Sequence, residues 1–275
     1  MNNTVTFFQN AKKEGRKITM LTAYDYAAAR LLDEAGVDAL LVGDSLGNVV
    51  LGYDTTLRVT LDDMIHHGKA VARGARRAFV AVDMPFMSYQ SSVYDAVCNA
   101  GRIIKETGAQ AVKLEGGVLA VPQIQAIVNA TIPVMAHVGL TPQAVHALGG
   151  FKVQGREAAA AQRLLDDARA VQEAGAFAVV LECVPARLAA KITEKLHIPT
   201  IGIGAGSSCD GQVLVVNDML GFFPESSAKF VKNFADAGEI IRGAVAAYCS
   251  QVREGSFPGR EHTYAIGDEA LEKLY

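Results

Sequence analysis

Four short, largely apolar segments of this chain each run directly into an acidic residue. They are Leu40–Gly43 before Asp44, Phe79–Val82 before Asp83, Ala111–Leu114 before Glu115 and Val179–Leu181 before Glu182. Such runs are typical of strands that are buried on both faces of a parallel sheet. A carboxylate is costly to bury unless it is paired or bound to a cation. The repetition therefore predicts one shared acidic site at the ends of four strands.

Strand-like runs alternate with amphipathic segments along the chain. The runs begin near Ile18, Ala39, Phe79, Ala111, Pro133, Phe177, Thr200 and Gln212. Eight strands alternating with helices in 275 residues predict an α/β protein, a (β/α)₈ TIM barrel with a short N-terminal helix at Val5–Gly15. An open doubly wound sheet is the alternative. The interval from Thr200 to Gln212 is too short for a full helix, so the seventh crossover is expected to be irregular.

Capping residues and helix-forming stretches predict several helix boundaries. Thr60 is expected to cap Leu61–Arg73, and Ser92, with Asp95 three residues later, is expected to start a helix that ends at Gly108. Further helices are predicted over Tyr26–Ala35, Arg156–Ala174, Val184–Leu196 and Phe230–Val252. We see no linker, and we predict one barrel domain over residues 1–275 with 255–275 as a C-terminal extension.

Charge and composition exclude several classes of function. The net charge of −3 gives no reason to expect binding to nucleic acid or to an anionic membrane. We find no signal peptide and no apolar run long enough to span a bilayer, so we expect a cytoplasmic protein. The four cysteines are scattered without the paired spacing of a zinc site or a redox motif.

In a parallel barrel the active site lies at the C-terminal ends of the strands. The candidate residues at those ends are Asp44, Ser45, Asp83, Glu115, His137 and Glu182. Lys113 precedes Glu115 by two residues, so both side chains are expected to point into the barrel. A buried lysine needs acidic partners to keep its proton. An interior salt-bridge network without a catalytic role is the alternative interpretation.

Carboxylates without a cluster of His or Cys favour a hard cation such as Mg²⁺. Because Mg²⁺ keeps several waters, some of Asp44, Asp83 and Glu115 are expected to contact it through water. His137 is a candidate metal ligand, a hydrogen-bond donor to substrate or a buried core residue. The glycine-rich segment Gly202–Gly206 suits either a bound phosphate or a tight turn.

Seven segments together carry a resemblance to a known enzyme family. They are Met20–Asp25, Val42–Gly47, Val82–Pro85, Val112–Gly116, His137–Pro142, Leu181–Cys183 and Ile201–Gly206. In these segments, in this order, the chain resembles the ketopantoate hydroxymethyltransferase (3-methyl-2-oxobutanoate hydroxymethyltransferase) family. The resemblance implies a phosphoenolpyruvate/pyruvate-domain-like barrel and a cytoplasmic, Mg²⁺-dependent transferase of pantothenate biosynthesis. It also implies a homo-oligomer, often a decamer.

The reaction implied by the resemblance moves a hydroxymethyl group from 5,10-methylenetetrahydrofolate to 3-methyl-2-oxobutanoate through a Mg²⁺-stabilised enolate, giving 2-dehydropantoate. The resemblance assigns the metal to Asp44, Asp83 and Glu115. It assigns oxoacid binding to Asp44, Ser45, Asp83 and Lys113, and proton abstraction to Glu182. His137 is our further candidate for binding substrate.

Two alternatives use the same features. A Mg²⁺-dependent 2-oxoacid lyase or mutase of the isocitrate-lyase type also holds an enolate at acidic strand ends, but the reactive-cysteine loop typical of those lyases is absent from this sequence. A barrel that only binds a ligand predicts no exchange of the C3 proton of 3-methyl-2-oxobutanoate. The folate-binding surface and the role of residues 255–275 carry no sequence signal.

Overall fold

The computed structural model describes residues 3–223 and 228–274. Within the described residues, eight parallel strands form a closed barrel in which every strand pairs with its neighbours in chain order. The strands are β1 Ile18–Thr22, β2 Ala39–Val42, β3 Phe79–Asp83, β4 Ala111–Glu115, β5 Val134–Gly139, β6 Ala178–Glu182, β7 Thr200–Ile203 and β8 Gly211–Leu214. The barrel predicted from the sequence is confirmed, and each strand begins within one residue of its predicted start.

Helices connect most of the strands. They are α1 Val5–Glu14, α2 Tyr26–Glu34, α3 Leu46–Val49, α4 Leu61–Gly74, α5 Val93–Thr107, α6 Val121–Asn129, α7 Val145–Leu148, α8 Ala158–Glu173, α9 Ala186–Lys195, α10 Val216–Met219, α11 Ala237–Glu254 and α12 Asp268–Leu271. Between β7 and β8 the described chain contains no helix, as the short interval predicted.

The predicted helix caps at two sites are present. Thr60 and Asp63 form a reciprocal capping box at the start of α4. Ser92 accepts a hydrogen bond from the backbone N–H of Asp95 at 3.0 Å at the start of α5. Each of these bonds satisfies a backbone donor that the first turn of a helix leaves unpaired.

The prediction of a helix over Phe230–Val252 is wrong at its start. Helix α11 begins at Ala237, where the side chain of Asp236 accepts a hydrogen bond from the backbone N–H of Glu239 at 3.2 Å. The apolar residues before Asp236 mimic the spacing of an amphipathic helix, but residues 230–236 are not helical. An aspartate at the N-cap therefore decides the boundary here.

The chain divides into two compact units. The first comprises residues 1–216 and 228–231 and contains the barrel, and the second comprises residues 217–227 and 232–275. In the second unit, the ring of Tyr248 on α11 contacts the ring of Phe257, which follows this helix, with centroids 5.8 Å apart. The single domain over residues 1–275 stays a prediction. In the part of the chain that the structure describes, no helix has the length and hydropathy needed to cross a bilayer.

Helix α1 plugs the N-terminal end of the barrel. Phe8 is fully buried and meets the rings of Phe79 and Phe177 edge-on, with centroids 5.0 Å and 5.2 Å away. These rings belong to an apolar cluster that also includes Ala81, Ala111, Met135 and Val180 from the strands. Among the described residues, the side chains of this cluster at the N-terminal end are all apolar, and the inward-facing charged side chains of the strands lie towards the C-terminal end.

Candidate active site

Strand alternation brings charged side chains to the C-terminal end of the barrel. Along β3, Phe79 and Ala81 belong to the apolar interior cluster, and Asp83 is the next residue on the same side. Along β4, Ala111 belongs to that cluster, and Lys113 and Glu115 follow on its side. The sequence places charges where the apolar layers end, and the fold brings them to one rim.

Asp44 reaches this rim because its strand has already ended. Strand β2 stops at Val42, so Gly43 and Asp44 are no longer bound by strand alternation. The backbone N–H of Asp44 donates a hydrogen bond to Oδ2 of Asp83 at 3.0 Å. An added Cβ at Gly43 would lie 2.8 Å from Oγ of Ser45. Glycine therefore allows this turn to pack closely.

Asp83 and Lys113 form a buried ion pair at the centre of the site. The two residues are register partners on adjacent strands, and Nζ of Lys113 donates to Oδ1 of Asp83 at 2.7 Å. The side chains are 4% and 3% exposed for Lys113 and Asp83. Burial alone would lower the pKa of Lys113, but the charges of Asp83, Glu115 and Asp44 raise it. The lysine therefore keeps its positive charge inside the barrel.

His137 lies between two of the predicted acids. Its Nδ1 is 3.5 Å from Oε1 of Glu115, and its Nε2 is 3.3 Å from Oε2 of Glu182. Burial and the charge of Lys113 disfavour protonation, but the two carboxylates outweigh them and raise the pKa of His137 to about 9. Neither ring nitrogen has a partner with hydrogen-bond geometry among the described residues. A charged His137 could therefore donate to a substrate oxygen.

Asp44 is the acid of this site that most favours a bound proton. Burial, followed by the charges of Asp83 and Glu115, raises the pKa of Asp44 to about 8, although Lys113 and a hydrogen bond from Gln143 oppose this rise. The pKa of Glu115 is lowered in spite of its burial, chiefly by His137 and Lys113. Three carboxylates around one lysine therefore leave a position that favours either a proton or a further cation.

Two residues that were not predicted from the sequence, Gln143 and Tyr89, hold the site together. Gln143, in a short 3₁₀ turn after β5, donates through Nε2 to Oδ2 of Asp44 and to the backbone oxygen of Met84, both at 2.9 Å. Its backbone N–H donates to Oε2 of Glu115 at 3.0 Å. The hydroxyl of Tyr89 donates to Oε1 of Gln143 at 2.8 Å and accepts from the backbone N–H of Glu115 at 3.1 Å.

The position of Gln143 next to the matching segment His137–Pro142 was the available signal. A buried amide whose donors and acceptors are all needed is conspicuous only after the loops are folded. Tyr89 had no such signal, because it lies in an irregular loop after β3.

Ser45 and Glu182 occupy opposite sides of the rim. The hydroxyls of Ser45 and Tyr24 lie 2.8 Å apart. Glu182 ends β6, and its side chain is 16% exposed. The next residue, Cys183, has φ 49°, a left-handed conformation that is uncommon without glycine. This turn follows the proposed base directly, and backbone strain of this kind is concentrated at functional sites.

The glycine-rich segment after β7 turns through two left-handed residues, Gly204 and Gly206, with φ of 65° and 81°. An added Cβ at Gly206 would lie 2.6 Å from the Cβ of Ala186. The sequence left two interpretations of this segment, a phosphate site and a tight turn, and both observations favour the tight turn. They explain the glycines without a phosphate.

The carboxylate oxygens present fit a hard cation. In residues 3–223 and 228–274, no group of three His, Cys, Asp or Glu side chains is arranged as a metal cage. Mg²⁺ does not require such a cage, because one or two carboxylates suffice when waters and substrate oxygens supply the other ligands. The geometry supports this fit, because the backbone N–H of Asp44 binds Asp83 and Gln143 binds both Asp44 and Glu115, which holds the three carboxylates in one network. Burial also raises the pKa of Asp44, and a cation there would replace a proton.

The chain forms a parallel eight-stranded barrel, and buried acids, a lysine and a histidine lie at its C-terminal rim. This arrangement is typical of TIM-barrel enzymes. In fold, the chain is similar to 2,3-dimethylmalate lyase, a member of the PEP mutase/isocitrate lyase superfamily, with TM-score 0.61 and 18% identity over 99% of this chain and 94% of that one. It is also similar to phosphoenolpyruvate phosphomutase from Streptomyces platensis subsp. rosaceus, with TM-score 0.61 and 14% identity over 98% and 94%.

Sequence comparison defines the family within this class. The sequence profile of ketopantoate hydroxymethyltransferase matches residues 2–260. The 3-methyl-2-oxobutanoate hydroxymethyltransferases of Clostridium novyi (strain NT) and Enterococcus faecalis (strain ATCC 700802 / V583) are 62% and 58% identical to this chain, each over 100% of both sequences. The chain belongs to the ketopantoate hydroxymethyltransferase family.

These findings confirm the resemblance seen in the sequence and, with it, the predicted class of hydroxymethyltransferase. The alternative of an isocitrate-lyase-type lyase or mutase shares the barrel but is not favoured, because the family match lies elsewhere. The roles of the individual site residues stay predictions.

Proposed function

We propose that this protein transfers a hydroxymethyl group to C3 of 3-methyl-2-oxobutanoate, with 5,10-methylenetetrahydrofolate as the one-carbon donor, giving 2-dehydropantoate. The relatives that match the whole chain carry the name of this reaction. In the overall balance, the donor supplies a methylene carbon, one water supplies the hydroxyl oxygen, and the proton that leaves C3 is replaced by the new carbon–carbon bond.

The observation that carries the proposal is the row of Glu115, His137 and Glu182. The ring of His137 lies 3.5 Å from one carboxylate and 3.3 Å from the other, at a rim with two further acids and a lysine. Glu182 is the more exposed of the two acids that flank the ring. It is therefore the acid that a substrate can approach, and we assign it the role of accepting the C3 proton.

The other side chains bind and orient the oxoacid. Lys113 and protonated His137 supply positive charge and N–H donors that suit the carboxylate and keto oxygens. Ser45 offers a hydroxyl across the rim from Glu182. Interactions with the keto oxygen strengthen as charge moves onto it, so they favour the transition state over the bound substrate.

Asp44 and Asp83, with Glu115 acting directly or through water, would hold Mg²⁺. A bound Mg²⁺ supplies Lewis-acid polarisation of the keto group, which makes the adjacent C3–H more acidic. Asp83 already shares its two oxygens between Lys113 and the backbone of Asp44, so its orientation is set before any ligand binds. Pre-set carboxylates of this kind need little rearrangement when a cation enters.

The proposal includes a homo-oligomer, as large as a decamer, and a cytoplasmic location. Both parts rest on the family resemblance. Light scattering of the purified protein tests the first, and fractionation of cells that express the tagged chain tests the second.

Glu182→Gln tests the assignment of the base. The substitution keeps size and hydrogen bonding but removes the proton acceptor, so kcat for 2-dehydropantoate formation should fall by about 10²–10⁴-fold. The KM for 3-methyl-2-oxobutanoate should stay within about threefold, because uniform binding is not removed. Glu194→Gln, an exposed glutamate on α9, is the matched control and should behave as the unsubstituted protein. Equal losses in kcat and in oxoacid binding would show that Glu182 binds substrate instead.

A further inference from the structure

A cavity of about 520 Å³ lies beside the acidic rim and shares only Glu115 with the residues proposed to hold the metal and the oxoacid. It is lined mainly by the loops that follow β3, β4 and β5. Its volume falls within the range of about 300–1,000 Å³ that is usual for small-molecule sites. Because the oxoacid is assigned to the other residues of the rim, this space is available to a second ligand.

The cavity shares a wall with the oxoacid site. Glu115 and Gln143 line the cavity, and both also contact the charged rim. From Glu115 the contact with His137 leads on to Glu182, the proposed base. A ligand in the cavity could therefore present a reactive group towards the same rim on which C3 of the oxoacid loses its proton.

The remaining walls combine apolar surface with amide groups. Phe86 and Leu119 line the cavity, and both are exposed, Leu119 to 93%. Exposed apolar side chains around a concave site are typical of ligand-binding surfaces. Gln90, another lining residue, donates to Oε1 of Gln143 at 3.1 Å. This composition suits a flat heteroaromatic ring with polar edges.

Gln123 supplies the unfilled polar contact. It lines the cavity from α6, and its Oε1 is buried without a hydrogen-bond donor among the described residues. A buried acceptor without a partner is unfavourable, and a turn of the Gln123 amide towards the cavity would let a ligand N–H remove this cost. Gln123 therefore favours a ligand that carries N–H donors along one edge.

We infer that this cavity binds the pterin ring of the folate co-substrate. A pterin is flat, has apolar faces and carries adjacent N–H and amino donors along one edge, which matches Phe86, Leu119 and the acceptor of Gln123. The one-carbon unit of the reduced folate then lies on the side of the cavity that Glu115 and Gln143 close. This inference rests on the proposed function, since it requires a folate as co-substrate.

Steady-state kinetics with varied 5,10-methylenetetrahydrofolate test the inference. Gln123→Leu removes the acceptor and should raise the KM for the folate by about tenfold or more, the loss expected for one buried hydrogen bond. Its KM for 3-methyl-2-oxobutanoate should not change. Gln123→Glu keeps an acceptor and should restore the folate KM to within a few-fold of the original. Gln125→Leu, an exposed glutamine on the same helix, is the matched control.

Leu119→Ser provides a second route that does not disturb the fold, because this side chain is almost fully exposed. It should raise the folate KM several-fold by removing an apolar wall. An unchanged folate KM in both Gln123→Leu and Leu119→Ser would overturn the inference.

The inference and the proposed function fail in different ways. Exchange of the C3 proton of the oxoacid needs no folate, so it reports on the proposed function alone. If Gln123→Leu exchanges this proton at the original rate and has a raised folate KM, both stand. If exchange proceeds but the folate KM is unchanged, only the pterin cavity is wrong. If the unsubstituted protein does not exchange the proton, the proposed function fails first.

Discussion

The two ends of the barrel interior are filled by different kinds of side chain, apolar at the N-terminal end and charged at the C-terminal end. At the N-terminal end, Phe8, Phe79 and Phe177 pack edge-to-face with centroids 5.0–5.5 Å apart. At the C-terminal end, Asp83 and Lys113 occupy comparable buried positions as an ion pair. The strands are the same, and only the residues at successive inward positions differ.

The difference separates stability from function. Buried aromatic packing stabilises the fold with no polar requirement. A buried ion pair contributes little net stability, because desolvation of the two charges offsets their attraction. Charges that the fold does not need are present where a substrate can reach them, as expected for the C-terminal face of a parallel barrel.

The largest expected effect on stability lies at the N-terminal end. Phe8→Ala should lower the free energy of unfolding by about 3–5 kcal/mol, because it leaves a cavity among the three rings. The folded fraction should retain its kcat, since the substitution lies at the other end of the barrel from the rim. Urea denaturation and kinetics on the same sample measure both. Phe151→Ala, at an exposed phenylalanine, is the control and should change stability by less than about 0.5 kcal/mol.

The comparison predicts the opposite outcome for an acid at the C-terminal end. Burial and the charges of Asp83 and Glu115 raise the pKa of Asp44 to about 8. When folding raises the pKa of a carboxyl group, the folded protein becomes less stable as the pH rises. The loss begins near the pKa of the group in the unfolded chain and is complete above its pKa in the folded protein. Asp44→Asn should therefore stabilise the metal-free protein by about 1–3 kcal/mol near pH 8 and by less at pH 5.

The same variant should lose the stabilisation by Mg²⁺ and the catalytic activity. Denaturation at several pH values, with EDTA and then with Mg²⁺, separates the two effects. A metal-free Asp44→Asn protein that is less stable than the original at pH 8 would mean that Asp44 serves the fold and would break the contrast between the two ends.

The smallest expected effect concerns the hydrogen bonds that support the rim. Tyr89→Phe removes the hydroxyl that bonds to Gln143 and to the backbone of Glu115. Stability should fall by about 1–2 kcal/mol, as for one or two buried hydrogen bonds. The kcat should fall more than the oxoacid KM rises, because Gln143 holds Asp44 and Glu115 in position and is not among the residues proposed to bind the oxoacid. If stability falls but both kinetic parameters are unchanged, Tyr89 supports the fold alone.

Much of this architecture was predictable from local patterns in the sequence. The starts of the eight strands could be predicted because buried parallel strands are apolar, and four of them run directly into an acidic residue. Asp44 differs from the other three acids because its strand, β2, ends two residues before it, and this early end lets its side chain join the rim.

Contacts between loops could not be predicted in this way. Gln143 and Tyr89 meet across a sequence separation of 54 residues, and neither lies on a regular strand. Gln123 is an unremarkable glutamine on α6 until the neighbouring loops close a cavity over it. Hydrogen bonds of this kind depend on the detailed path of irregular backbone, for which a single sequence carries little periodic signal.

The central claim is that the acidic rim lets a 2-oxoacid lose its C3 proton to Glu182. The most direct measurement is exchange of that hydrogen of 3-methyl-2-oxobutanoate with deuterium from the solvent, followed by NMR without folate. The protein with Mg²⁺ should catalyse exchange, and Glu182→Gln should slow it by at least about 100-fold. A folded, Mg²⁺-loaded protein that catalyses no exchange, or a Glu182→Gln variant that exchanges at the original rate, would contradict the claim.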